Sequence, residues 1–131
     1  MNLLDDAEEL QYIGIWELHD PLLAALVREV LGRIPDEVED EFHVFNVFED
    51  TSPWGAYVND GSVFLDPRKL LAESRDVAIG TIAHELAHVY LRHPMEGGLD
   101  DEYAADDLAR SWGFVQEVKA MRDACGPPTV K

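Results

Sequence analysis

The sequence predicts an α+β fold, with helices packed against a small antiparallel or mixed sheet. Three observations point there. Apolar residues recur at helical spacing in 21–34 and again in 75–91. Between them, the stretch 41–60 shifts to a period of two and runs into the turn signal Asp60-Gly61. The chain of 131 residues is 47% apolar, which suits one domain spanning 1–131 with a real core.

The elements follow in order. Leu3, Leu4, Ala7, Leu10, Ile13 and Ile15 suggest an N-terminal helical segment over 1–18, interrupted at Gly14. Asp20 is placed to cap a second helix, with Pro21 at its first position. Leu22, Leu23, Leu26, Val27, Val30, Leu31 and Ile34 keep helical spacing until Pro35 ends it. Phe42, Val44, Asn46 and Phe48 then alternate with His43, Phe45 and Val47. Trp54 to Val58 and Ser62 to Leu65 read as two strands joined through Asn59-Asp60-Gly61, because a tight hairpin needs residues that tolerate positive φ. Pro67 opens a short helix to Glu73, and a longer helix runs from Ser74 or Arg75 to Leu91. Pro94 and Gly97-Gly98 stop it. A last helix is expected from Leu99 or Asp100 to Ala124, followed by a loose tail, 125–131.

The formal charge of −17 repels phosphate backbones and anionic headgroups, so nucleic acid and membranes are poor partners. It favours a basic peptide or protein. The apolar runs are short, such as Leu22 to Val27, and none approaches the ~20 residues of a membrane span. The first residues have no basic start and no small-residue cleavage site, so no signal peptide is expected. Cys125 is the single cysteine, which rules out an internal disulfide and fits a cytoplasmic setting.

The chemistry concentrates in His84-Glu85-Leu86-Ala87-His88. Histidines four apart project from one helical face, one above the other, where two imidazoles can share a tetrahedral ion at about 2.0–2.1 Å. Glu85 is rotated about 100° around the helix, which suits a base acting on water held by the metal. The pattern also arises by chance, and two surface histidines need no function. Here the flanks Ile79, Ile82, Ala83, Leu86, Ala87, Val89 and Tyr90 make the helix largely buried. Two histidines and a glutamate there would be costly without partners.

A catalytic zinc usually takes a third protein ligand. The downstream candidates are His93, Glu96, Asp100, Asp101, Glu102, Asp106 and Asp107. His93 is five beyond His88 and, on a continuing helix, points away from the pair; it reads as a surface residue. Glu102 is the choice, because Asp106 follows it on the same helical face. Asp106 is then placed to accept a hydrogen bond from the outer nitrogen of His84. Asp100, Asp101 and Glu102 also suit an ordinary acidic helix start. Gly80, Ala83 and Ala87 on one helix, with Ala105, Ala109 and Gly113 on the other, are expected to let the two approach closely.

These residues resemble the gluzincins, zinc peptidases with H-E-x-x-H on one helix and a glutamate ligand on a later one. Glu102-Tyr103-Ala104-Ala105-Asp106 is also similar to the E-x-x-A-D signature of the membrane prenyl-protease and heat-shock protease family, without that family's membrane helices. In size the chain is most like the single-domain minigluzincins, or small phage-type proteases that cleave repressors. The metzincin pattern is excluded, because Leu91 and Pro94 stand where it requires glycine and histidine. The resemblance spans residues 54–115. It implies a zincin-like fold, one zinc ion on His84, His88 and Glu102, and Glu85 as general base in peptide hydrolysis. It further implies that Trp54, Gly55, Ala56, Tyr57 and Val58 form an edge strand that pairs with an extended substrate. The short link 89–101 leaves no room for a large lower domain.

An oxyanion donor is also needed, and Tyr57, Tyr103, His43 and His93 are candidates. Trp112, Phe114, Val115 and Val118 read as core. Two other functions stay open: a zinc-binding regulatory or interaction module with little turnover, and a zymogen inhibited by its tail, with the Cys125 thiolate reaching the metal.

Overall fold

The computed structural model describes residues 18–39, 46–53, 55–59, 61–94 and 97–129. The N-terminal helix expected over Leu3 to Ile15 lies outside them, as do Phe42, His43, Val44, Trp54, Asp60 and Glu96. The described residues form an α+β structure of six helices and a three-stranded mixed sheet.

Helix α1 spans Pro21–Arg33. The Asp20 side chain accepts from the N–H groups of Leu22 and Leu23, at 2.9 and 3.1 Å, and so satisfies two donors that a helix start leaves open. Its inward stripe is Leu23, Ala24, Val27, Val30 and Leu31. A four-residue helix, α2, follows at Asp36–Glu39.

Strands β1 (Val47–Glu49), β2 (Ala56–Asn59) and β3 (Ser62–Leu65) are ordered β1-β3-β2. β1 lies parallel to β3, and β2 antiparallel to it with Asn59 opposite Ser62, as a two-residue hairpin loop requires. Period two sorts the faces. Val47, Val63 and Val58 share a buried row, while Phe48, Phe64 and Tyr57 stack on the outer face. β2 begins at Ala56, because Gly55 belongs to the preceding turn, its N–H donating to Ser52 O at 3.2 Å.

Helix α3 is Pro67–Ala72, and α4 is Arg75–Leu91. Every residue of α4 from Val77 to His88 is buried. It packs against α1, α3, β2, β3 and both later helices, and its side chains form the centre of the core.

The chain after Gly98 is two helices, not the single one expected: α5, Leu99–Ser111, and α6, Val115–Cys125. Gly113 has φ +102°, a conformation that side-chain-bearing residues rarely adopt, and the chain turns there. The close approach to α4 is also placed differently. A Cβ on Gly80 would sit 2.2 Å from the carbonyl oxygen of Glu117, so Gly80 faces α6 and not the helix that bears Glu102. Of the expected core set, Trp112, Phe114 and Val118 are buried, while Val115 is 55% exposed because it opens α6 on the solvent side.

Candidate metal centre

Two elements build the site. α4 supplies His84, Glu85 and His88; the first turns of α5 supply Glu102 and Asp106. All five are buried. His88 Nε2 lies 2.7 Å from Glu102 Oε2, and His84 Nε2 lies 3.4 Å from Glu102 Oε1. The two Nε2 atoms are 3.0 Å apart, their rings set at 88°. Around a tetrahedral ion with bonds of about 2.0–2.1 Å, donor atoms stand about 3.3 Å from one another. The observed edges bracket that value, and this buried group of three can hold a metal ion.

The outer nitrogens are held as well. His84 Nδ1–H donates to Asp106 Oδ1 at 2.7 Å, which holds the ring with Nε2 turned toward the group. Asp106 is in turn gripped by Arg122 of α6, whose Nε donates to Oδ2 at 2.7 Å and Nη2 to Oδ1 at 2.9 Å. Sequence reasoning missed Arg122. Its position one turn after the buried Val118 and next to the buried Met121 put it on the inward stripe, which was the available signal.

His93 is not the outward-facing residue expected. It is half-buried, with Nδ1 2.9 Å from His88 Nδ1. The helix does not continue to carry it away: Arg92 adopts the left-handed conformation, φ 59° and ψ 39°, and the chain folds back there.

The electrostatics follow from burial and pairing. Burial pushes the Glu102 carboxyl up, but hydrogen bonds with His84 and His88 overcome this and hold it far below its usual range. Burial likewise opposes ionisation of Asp106, and its bonds with His84 and Arg122 bring it down to about 2. Burial pushes the His84 imidazole down, and its hydrogen bonds with Asp106 and Glu102 carry it upward overall. Two anionic oxygens thus enclose a centre that favours positive charge.

A cleft of about 260 Å³ opens onto this group. His84, Glu85, Glu102, Thr81 and Pro53 line it together with Met121, Arg122, Cys125, Pro127 and Thr129. Of the segment 54–58, no described residue lines this cleft. Gly55 and Ala56 are buried, and Val58 lines a second depression of about 590 Å³ with Asn59, Arg92 and His93. Tyr57 is turned to the outer face, where its O–H donates to Asp50, a bond that pushes the phenol up to about 12. It does not point at the cleft. Tyr103 is 48% exposed. Cys125 lines the cleft, but its thiol does not join the donor group.

No family model matches the chain, and neither curated proteins nor solved structures yielded a match. Among the described residues, no helix is long and apolar enough to cross a membrane.

Proposed function

We propose that this chain is a zinc-dependent peptidase of gluzincin type with a zincin-like fold, in which His84, His88 and Glu102 hold one zinc ion and Glu85 is the general base. One observation carries the reading. Three donor atoms of the right types converge within 4.8 Å of one another, and Glu85, from the same helix, lines the cleft that opens onto them. Two imidazoles and one carboxylate form a donor set suited to zinc. When bound, zinc would supply a Lewis acid that polarises a carbonyl and acidifies water.

The chain's own residues supply the rest. Glu85 is 2% exposed, so its carboxylate works in a site of low dielectric. It takes a proton from water in the cleft as the water oxygen adds to the scissile carbonyl carbon, and returns it to the amine nitrogen as the C–N bond breaks. Asp106 and Arg122 keep the His84 ring oriented through this transfer. Among the described residues β2 is an outer strand of the sheet, the kind of edge to which an extended peptide can add, though no described residue of 54–58 lines the cleft itself. A basic peptide suits the acidic surface.

Glu85→Gln tests this. It should lower peptide cleavage by about 10²–10⁴-fold while leaving zinc content at one per chain. Undiminished cleavage by the zinc-loaded variant rejects the mechanism.

A second reading has an observation of its own. Cys125, Pro127 and Thr129 line the same cleft, which favours a tail that restrains access to it. Under that reading a chain ending at Ala124 cleaves peptides faster than the full chain. Equal rates reject it.

A further inference from the structure

The two metal-facing histidines have different outer partners. His84 leans on Asp106 and Arg122, whereas His88 has His93, with Nδ1 facing Nδ1 at 2.9 Å. Unlike the two Nε2 atoms, which an ion would bridge, two ring nitrogens at that distance with nothing between them share one proton, so one must donate and the other accept. For the His88 Nε2 lone pair to face Glu102 and His84, the proton must sit on His88 Nδ1. His93 Nδ1 must then be the acceptor, which requires the His93 proton on Nε2.

The far side of His93 favours that arrangement. Asp101 Oδ1 stands 3.4 Å from His93 Nε2, so a carboxylate attracts the Nε2 proton. Two backbone features hold the group in place. Arg92, the one non-glycine residue with positive φ among those described, turns the chain back, and the His93 N–H then donates to His88 O at 3.0 Å. A left-handed conformation is disfavoured at a side-chain-bearing residue, because its Cβ crowds the following carbonyl. It persists here where it returns His93 to His88. At the other end, a Cβ on Gly97 would lie 2.3 Å from Asp101 Oδ2, so glycine leaves room for the carboxylate.

We propose that His93 and Asp101 form a positioning pair that fixes the tautomer and ring orientation of His88, so that its Nε2 is presented to a metal ion. This rests on the metal centre described above and not on peptidase activity. His93 is thus a positioning residue outside the ligand set, and Arg92, Gly97 and Asp101 support it.

The test is zinc affinity of the purified full chain, measured by competition with a chromophoric chelator. His93→Leu removes the acceptor and should weaken binding by about 10–100-fold. His93→Asn keeps an acceptor oxygen near the Nδ1 position and should restore most of the loss. Asp101→Ala, at a part-exposed side chain, should weaken zinc binding while the thermal midpoint of the metal-free protein stays near that of the wild type. Gly97→Ala should weaken it too, and should add nothing in the Asp101→Ala background. Nitrogen-15 NMR of the histidines should find the His88 proton on Nδ1. Wild-type affinity in both His93→Leu and Asp101→Ala, or additive effects of the Gly97 and Asp101 changes, overturns the proposal. A wild-type chain that takes up no zinc overturns the centre itself, and the positioning role with it.

Discussion

Asp66 is 3% exposed and accepts from the N–H of Ser52 at 2.9 Å and of Arg68 at 3.0 Å, so it caps α3 and ties down the loop before β2. The Ser52 bond leads in holding its carboxyl below the ordinary value of 3.8, against the opposing effect of burial. A carboxyl lowered on folding stabilises fully above its unfolded pKa and loses that contribution as pH falls through the folded value. Wild-type protein should therefore lose stability through this group as pH falls below the ordinary carboxyl range, and Asp66→Asn should flatten that part of the profile in urea unfolding. Asp66→Ala should cost about 2–4 kcal/mol near neutral pH, because a cap is lost and a buried N–H is stranded. Arg122→Leu should take two bonds from Asp106, which is 1% exposed and keeps its bond with His84, and cost about 1–3 kcal/mol by the same denaturation measurement. At this scale the sequence was legible where the signal was local. Asp106 follows Glu102 by one helical turn, and its bond to His84 is readable from that spacing. Arg122 and His93 were not readable in the same way. One depends on a contact between separate helices, the other on a left-handed turn at an arginine, which no turn signal announces.

Among the elements, the bounds of α4, from Ser74 or Arg75 to Leu91, were legible from its spacing and the Pro94 and Gly97-Gly98 stops, and β2–β3 from its turn dipeptide. The division of α5 from α6 was not. Gly113 reads equally well as a small residue on a packing face, and only its φ of +102° separates the two meanings. The two glycines of this region predict opposite kinds of damage. Gly80→Ala gains helix propensity of about 1 kcal/mol, yet its methyl would meet Glu117 backbone that cannot swing aside. The clash should win, with a net loss of about 1–3 kcal/mol and a lower thermal midpoint. Gly113→Ala meets nothing within 4 Å, so only the dihedral resists it, at about 1–2 kcal/mol.

For the whole molecule, a cation bound only by the folded chain must stabilise it by mass action. Zinc at about 100 times its dissociation constant should add about 2.7 kcal/mol, seen as a higher melting temperature that a chelator reverses. A chain with both His84→Ala and His88→Ala should show no such shift. The charge of −17 adds a salt effect of the same sign, since screening relieves self-repulsion. A zinc-dependent shift that persists in 0.15 M salt separates the two.

The enclosure of α4 bears on how the centre is filled. A helix whose residues 77–88 all lie inside the core opens only when the entire domain does, so its amides should be among the slowest to exchange with deuterium. The donors it carries are then assembled before any ion arrives. Loading and stripping become simple entry and exit through the cleft, with no refolding step between them.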